Sequence, residues 1–205
     1  EPLVSGRISL CGKDITHASI RQRSKDGMSH IPEDRHKHGL VLDYSLEDNI
    51  VLQRYFDPEF TRAGFLRRKN IRAYANRLID QYDIRSGQGA TTIARSMSGG
   101  NQQKVILGRW LTTEADILIM DNPTQGIDVG AKAEIYKLIL ELAEKGKTIL
   151  VNTLEIPEIQ KIADRCVVFY HGHIQTILPR EEITEERVML YATNVIHATE
   201  GEVNV

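Results

Sequence analysis

Scarcity is the first information this sequence gives. Only two cysteines, Cys11 and Cys166, occur in 205 residues. They are too few and too far apart for a disulfide framework or a paired-cysteine metal site, and read as incidental thiols of a reducing compartment. No apolar run approaches the ~20 residues of a membrane-spanning helix, and no signal-peptide pattern opens the chain. Any work at a membrane is therefore expected to go through a partner. Excess charge is also missing: the formal net charge is −2, which gives no electrostatic case for nucleic acid. What remains is an ordinary globular composition, 41% hydrophobic and 26% charged, long enough for one large domain or two small ones.

The densest local signal lies at Met97-Ser98-Gly99-Gly100-Asn101-Gln102-Gln103-Lys104. Ser98 is a natural N-cap, and Val105, Ile106, Trp110 and Leu111 put an apolar face on the helix that follows. Two glycines let a ligand come close to the backbone, and the unpaired N–H groups of a helix start suit a phosphate. Upstream, Ile8 and Leu10 alternate with polar residues before a reversal at Gly12-Lys13. Ile20 to Lys25 forms a helical turn closed by Gly27. The charged stretch Ile31-Pro32-Glu33-Asp34-Arg35-His36-Lys37-His38-Gly39 reads as a loop. Ser45 caps a short helix, with Asp48 three residues on as a shorter stand-in for the glutamate of a capping box. Over about 67 to 83, Ile71, Tyr74, Ala75, Leu78, Ile79 and Tyr82 line one helix face, and Arg67, Arg68, Arg72 and Arg77 fall mostly on a face expected to be solvated. From 45 to 112 the chain is mainly helical.

After Asp116 the pattern changes. Ile117-Leu118-Ile119-Met120-Asp121 is a continuous apolar run ending in a carboxylate, as in a buried parallel strand. Pro123 to Gly126 turns the chain into a helix with Ile135, Leu138, Ile139 and Leu142 on one face, ended by Gly146. Thr148 to Asn152 is a strand, Pro157 to Ala163 a helix, and Cys166 to Tyr170 a third strand, which His171-Gly172 turns into His173 to Leu178. A short helix over Glu181 to Leu190 precedes a polar tail expected to fray. Strand–helix–strand–helix–strand predicts an α/β sheet with right-handed crossovers.

These pieces, in this order, resemble the ATP-binding-cassette (ABC) ATPases. Ser98-Gly99-Gly100-Asn101-Gln102-Gln103-Lys104 resembles their signature motif, Ile117 to Asp121 the Walker B strand, and Pro123-Thr124-Gln125-Gly126-Ile127-Asp128 the dimer-interface loop (D-loop). The spellings Ser-Gly-Gly-Asn-Gln-Gln-Lys, Gly-Ile-Asp-Val-Gly-Ala-Lys (126–132) and Ile-Pro-Glu-Asp-Arg (31–35) resemble the importers of ribose, galactose, xylose and related sugars. His36-Lys37-His38-Gly39-Leu40 is also similar to a sister branch serving nucleosides. Such proteins carry two cassettes in one chain, and the spelling resembles the second, C-terminal one, over residues 6 to 192.

Three departures follow from the comparison of spellings. No Gly-x-x-x-x-Gly-Lys-[Ser/Thr] Walker A occurs in the 205 residues. The family places that loop just upstream of Glu1, and the opening Glu1-Pro2-Leu3 leads us to expect a piece of a longer protein. Asn122 follows the Walker B aspartate where a hydrolysing cassette has glutamate, and an amide offers no basic carboxylate to the attacking water. Thr153 or Leu154 occupies the region of the switch histidine, and neither replaces an imidazole.

The resemblance therefore implies a P-loop NTPase-like α/β core with an inserted helical signature subdomain. The implied division is 1–33 (N-terminal β piece and Q-loop region), 34–112 (helical subdomain with the signature), 113–192 (core half with Walker B and D-loop) and a tail at 193–205. Implied roles are nucleotide contact for Ser98, Gly99, Gly100, Asn101 and Gln102, Mg²⁺ for Asp121, the cassette interface for Asp128 and the permease-coupling loop for Glu33. Asp128 also reads as the N-cap of the next helix, and Asp121 as a strand-end carboxylate capping a turn. Residues 36–60 would face the permease. The expected protein is a degenerate second cassette of a bacterial sugar-import ATPase, peripheral on the cytoplasmic face of the inner membrane. It works with ATP and Mg²⁺, the N-terminal cassette, permease subunits and, indirectly, a substrate-binding protein. The expected ATP-hydrolysing translocase is the full-length parent. The competing class is a soluble ABC protein acting on nucleic acid or the ribosome, or a module with no nucleotide contact.

Overall fold

A computed structural model describes residues 3–111 and 115–196. The expected boundary at 112/113, and the tail from 197 on, lie outside the described residues, as does the side chain of Leu111. The chain divides into two units, Glu1–Ile135 with Glu141–Asn152, and Tyr136–Leu140 with Thr153–Val205.

The first unit opens with a hairpin, β1 (Ser9–Leu10) against β2 (Lys13–Asp14). Its turn is Cys11-Gly12, with φ of 48° and 77°, one residue earlier than the expected Gly12-Lys13. Two successive positive φ values match the right-handed twist of a two-residue hairpin. Helix α1 (Ile20–Lys25) starts on Ser19, whose side chain accepts from the Gln22 amide. Strand β3 (Met28–Ile31) follows, where the sequence suggested only the approach to a charged loop. The loop itself holds one π-helical turn, Arg35–Gly39, capped by Asp34. Backbone N–H groups of Lys37 and His36 hold the Asp34 carboxyl below its ordinary range, against the desolvation that pushes it up.

Helix α2 (Leu46–Val51) begins as expected on Ser45, which accepts from the Asp48 amide. Asp48 is too short to reach back to the backbone, and takes the Ser45 hydroxyl instead, at 2.6 Å. A small hairpin, β4 (Thr61–Arg62) and β5 (Phe65–Leu66), leads to α3 (Arg68–Gln81), which buries Ile71, Tyr74, Ala75 and Leu78. The arginines of α3 are less idle than a solvated face implies. Arg72 forks onto the buried Glu47 carboxylate at 2.7 and 3.0 Å, and Arg68 pairs with Asp48. These bonds tie α3 to α2, because a buried carboxylate needs charged donors.

Helix α4 (Gly99–Leu111) buries Val105, Ile106 and Leu107 and packs on α2, α3 and β3. Then come β6 (Ile117–Asp121), α5 (Val129–Glu144) and β7 (Thr148–Asn152). The three strands form one parallel sheet in the order β3-β6-β7, with Ile31 opposite Met120 and Asp121 opposite Asn152. Parallel strands end together, so the loops after β3 and β6 leave the same end of the sheet, beside the end of β7, where open α/β sheets bind their ligands.

In the second unit, α6 (Ile156–Ile162) precedes β8 (Arg165–Tyr170) and β9 (His173–Pro179). The expected third strand of the parallel sheet is thus corrected. Among the described residues β8 pairs with β9, antiparallel, and the third parallel strand is β3. His171-Gly172, with φ of 46° and 80°, makes the tight reversal, and a two-residue turn leaves β9 no choice but to pair with β8. Helix α7 (Glu185–Ala192) closes the unit over a core of Cys166, Val168, Leu178, Ile183, Val188 and Tyr191.

Candidate nucleotide-facing site

The sheet edge gathers Glu33, Asp121 and Asn122. Asn122 leaves β6 in the left-handed region, φ 41°, a conformation asparagine tolerates better than most residues. Its amide N–H donates to the Asn152 carbonyl at 2.7 Å, and its carbonyl accepts from Gln125 at 3.0 Å. The side chain is thereby aimed, and its Nδ2 donates to Glu33 Oε1 at 2.7 Å. Asp121 has two neighbours the sequence did not suggest. His30 Nε2 lies 2.7 Å from Oδ2, and Asn152 Nδ2 donates to Oδ1 at 3.3 Å.

A second group forms at the start of α4. Ser98 sits at the N-cap, its Oγ accepting from the Asn101 backbone at 3.4 Å and from Asn101 Nδ2 at 2.9 Å. As at any helix start, the first N–H groups, those of Gly99 and Gly100, have no carbonyl one turn back. Both glycines are also packing requirements. A Cβ on Gly100 would stand 2.7 Å from the Ala131 Cβ, and one on Gly99 3.0 Å from Arg35 Nη2. Asp128 caps α5 by accepting from the Ala131 amide at 3.0 Å, so its capping reading holds. Arg35 joins the two groups: Nη1 donates to the Gln125 carbonyl at 2.8 Å and Nη2 to that of Gly126 at 3.4 Å. The sequence offered it only as part of a motif spelling.

Of the two residues named beside the glycines, Gln102 faces inward and Asn101 is half-buried. Gln102 is buried and uses both ends of its amide, Nε2 donating to the Ala94 carbonyl and Oε1 meeting His36 Nε2, each at 3.0 Å. Asn101 Oδ1 accepts from the Arg85 amide at 2.8 Å. A cavity of about 510 Å³ lined by Arg85, Thr92, Met97, Ser98 and Asn101 opens beside the helix start. Lys104, just beyond, is buried and joins Glu134 at 2.6 Å and the Asp83 carbonyl at 2.9 Å. Thr153 and Leu154 belong to the second unit. Thr153 Oγ1 donates to Glu158 at 2.7 Å, and Leu154 is exposed.

The donor set limits what the site can hold. Asp121 is a hard oxygen ligand of the kind Mg²⁺ takes, one or two carboxylates with phosphate oxygens and water supplying the rest. Among the described residues no group of three or more His, Cys, Asp or Glu is placed to hold a metal, so the ion fits only together with a phosphate. The glycine N–H groups and Ser98 are donors, matched to an anion.

The chain is similar to known proteins along most of its length. A family model described as ABC transporter matches residues 1–125. A putative ribose/galactose/methyl galactoside import ATP-binding protein of Geobacillus kaustophilus is 44% identical over 195 residues, covering 95% of this chain and 38% of that protein. The nucleoside import ATP-binding protein NupA of Lactococcus lactis subsp. cremoris is 40% identical over 184 residues, 90% of this chain and 36% of that protein. The guanosine import ATP-binding protein NupO of Bacillus subtilis is 38% identical over 200 residues, 98% and 39%. The chain thus spans less than two-fifths of the length of these relatives. Among solved structures, a nucleotide-free ATP-binding cassette superposes with a TM-score of 0.70 at 19% identity, over 98% of this chain and 76% of that one. An ATP-binding cassette in a dimeric post-hydrolysis state with ADP and Pi gives 0.69 at 19%, over 86% and 74%.

Proposed function

This chain belongs to the ABC transporter family, and we propose from that premise that it is part of the second cassette of a bacterial import ATPase, coupling ATP binding and hydrolysis to solute uptake. The observation that carries the reading is the seating of Ser98-Gly99-Gly100. These residues start a 13-residue helix whose first N–H groups, those of Gly99 and Gly100, have no carbonyl one turn back, and Gly100 is packed to contact distance on the start of the helix that Asp128 caps. In this reading the signature residues complete the nucleotide site of the partner cassette. Asp121 holds Mg²⁺ with the phosphates of this cassette's own nucleotide, and Asn122 makes that site slow. Asp128 packs across the cassette interface, and Glu33 lies in the loop coupled to the permease. The division at 33, 112 and 192 follows the same reading.

Closing two cassettes on ATP moves the permease between access states, and hydrolysis resets it. Among the described residues no helix is long and apolar enough to cross a membrane. The import role named for the relatives supports a peripheral protein on the cytoplasmic face of the inner membrane, bound to permease subunits and served by a substrate-binding protein. A monosaccharide is the favoured solute, from the motif spelling and the 44% relative. Nucleosides form the second reading, supported by the names of two relatives at 40% and 38%. Both readings place the protein apart from ABC proteins of nucleic acid. DNA or RNA binding that falls steeply with salt would revive that class.

The test is Ser98→Arg in the intact ATPase. Ser98 is exposed, so the bulkier cation is accommodated in the fold while it fills the space before the helix. ATP turnover is expected to fall at least ten-fold with nucleotide still bound. Unchanged turnover would refute the signature role.

A further inference from the structure

Two residues past the paired Ile31 and Met120, the chain places Glu33 and Asn122 side by side at the edge of the sheet. The residue after Asp121 carries an amide, and the carboxylate it hydrogen-bonds stands on the neighbouring strand's loop, 2.7 Å away. Carboxylate and amide are both present; the carboxylate sits on the β3 side. Resting on the cassette reading above, we propose that Glu33 is a catalytic residue, the proton acceptor for the attacking water in this cassette's own site.

Three features on the page support that role. The Asn122 amide is fixed by a backbone bonded on both sides, so its Nδ2 pins one oxygen of Glu33 and leaves the other available. Glu33 is exposed at its edge, and water can reach it. Asp121, the hard-oxygen ligand, precedes Asn122 and ends β6, and Glu33 lies on the loop after the adjacent strand β3, so the two carboxylates stand at one end of the sheet. In the step itself, the water oxygen bonds to the γ-phosphorus and the bond from phosphorus to the ADP oxygen breaks. The water proton passes to the free Glu33 oxygen, and from there to solvent. A pinned carboxylate with a single free oxygen, on a loop outside the strand, predicts slow rather than absent hydrolysis.

The experiment compares wild type, Glu33→Gln and the exchanged pair Glu33→Gln with Asn122→Glu in the intact ATPase, by single-turnover hydrolysis of γ-labelled ATP and by ATP binding. Glu33→Gln is expected to lose at least ten-fold of the rate at this cassette's site, with ATP affinity within two-fold. The exchanged pair, with its carboxylate directly after β6, is expected to recover the wild-type rate or exceed it. A Glu33→Gln rate equal to wild type with ATP bound overturns the proposal and leaves the cassette reading standing. Failure of the wild-type site to bind ATP at all overturns the cassette reading beneath it. A ten-fold or greater loss of Mg²⁺ affinity in Glu33→Gln would make the residue a metal ligand and also overturn the proposal. Independently of turnover, the side-chain amide protons of Asn122 should shift in the NMR spectrum of the intact ATPase on Glu33→Ala, and an unmoved resonance would deny the pairing.

Discussion

Gly100→Ala is a change that helix propensity and packing judge oppositely. In a helix, replacing glycine by alanine ordinarily stabilises by ~0.5–1 kcal/mol, through the entropy of the unfolded chain. Here the new methyl would meet the Ala131 Cβ at 2.7 Å, with Ile127 Cγ2 at 3.7 Å. A Cβ has no torsion with which to swing away, so α4 and the start of α5 must separate. Overpacking of that kind costs about 1–3 kcal/mol. Packing wins, and a net loss of about 1 kcal/mol is expected. With a urea dependence of roughly 2 kcal/mol/M this lowers the unfolding midpoint by about 0.5 M. Fluorescence of Trp110, which lies in α4 itself, reads the transition. The sign should reverse in the Ala131→Gly background, where the opposing methyl is gone and Gly100→Ala becomes stabilising. Gly99→Ala is the control, since its Cβ faces the end of the flexible Arg35 side chain at 3.0 Å and should cost less than Gly100→Ala. A Gly100→Ala chain more stable than wild type, or a sign unchanged by Ala131→Gly, would refute the reasoning.

Two further outcomes are open to direct measurement. Burial pushes the Asp48 carboxyl up, but the Ser45 hydroxyl and the Arg68 guanidinium outweigh it and leave it below its ordinary value. A carboxyl depressed in the folded state contributes its stability above the unfolded pKa of ~3.9, and loses it as pH falls through the lower folded value. The gap in urea midpoint between wild type and Asp48→Asn should therefore be full at pH 6 and shrink below about pH 4; a gap independent of pH would contradict the assignment. Cys11 is exposed, whereas Cys166 is buried and burial raises its thiol pKa. A thiol reagent should label Cys11 alone in the native protein and both residues in denaturant, and native labelling of Cys166 would show that the second unit opens readily.

Much of this was legible in the sequence, and the misses share a cause. Helices with a regular apolar stripe, such as α3, and strands with a continuous apolar run, such as β6, declare themselves because every inward position is apolar. Strand β3 does not. Its inward residues are Ser29 and Ile31, 1% and 0% exposed, and a polar residue at an inward position removes the alternation on which a four-residue strand depends. Without β3 the sheet order is out of reach of the sequence, and β8 takes the place of its third member. The site showed the same division. Ser98, Gly99, Gly100, Asp121, Asn122 and Glu33 could be named from spelling. Their neighbours His30, Arg35 and Asn152 come from segments far apart in the chain, joined only when parallel strands end together. The arginines of α3 were misjudged because periodicity shows which face is polar without showing what meets it.

The grip of Arg35 has a consequence for how such a chain can diverge. Its two acceptors are the carbonyls of Gln125 and Gly126, groups every residue possesses. Mutation at 125 can thus change the side chain presented to solvent or to a neighbouring protein without loosening the clasp. Mutation at 35 cannot, because no other side chain offers the same planar fork. The turn at 125–126 is in this sense a display surface held by its backbone. Its outward chemistry is free to be rewritten, while the side chain that clasps it sits 90 positions earlier in the chain.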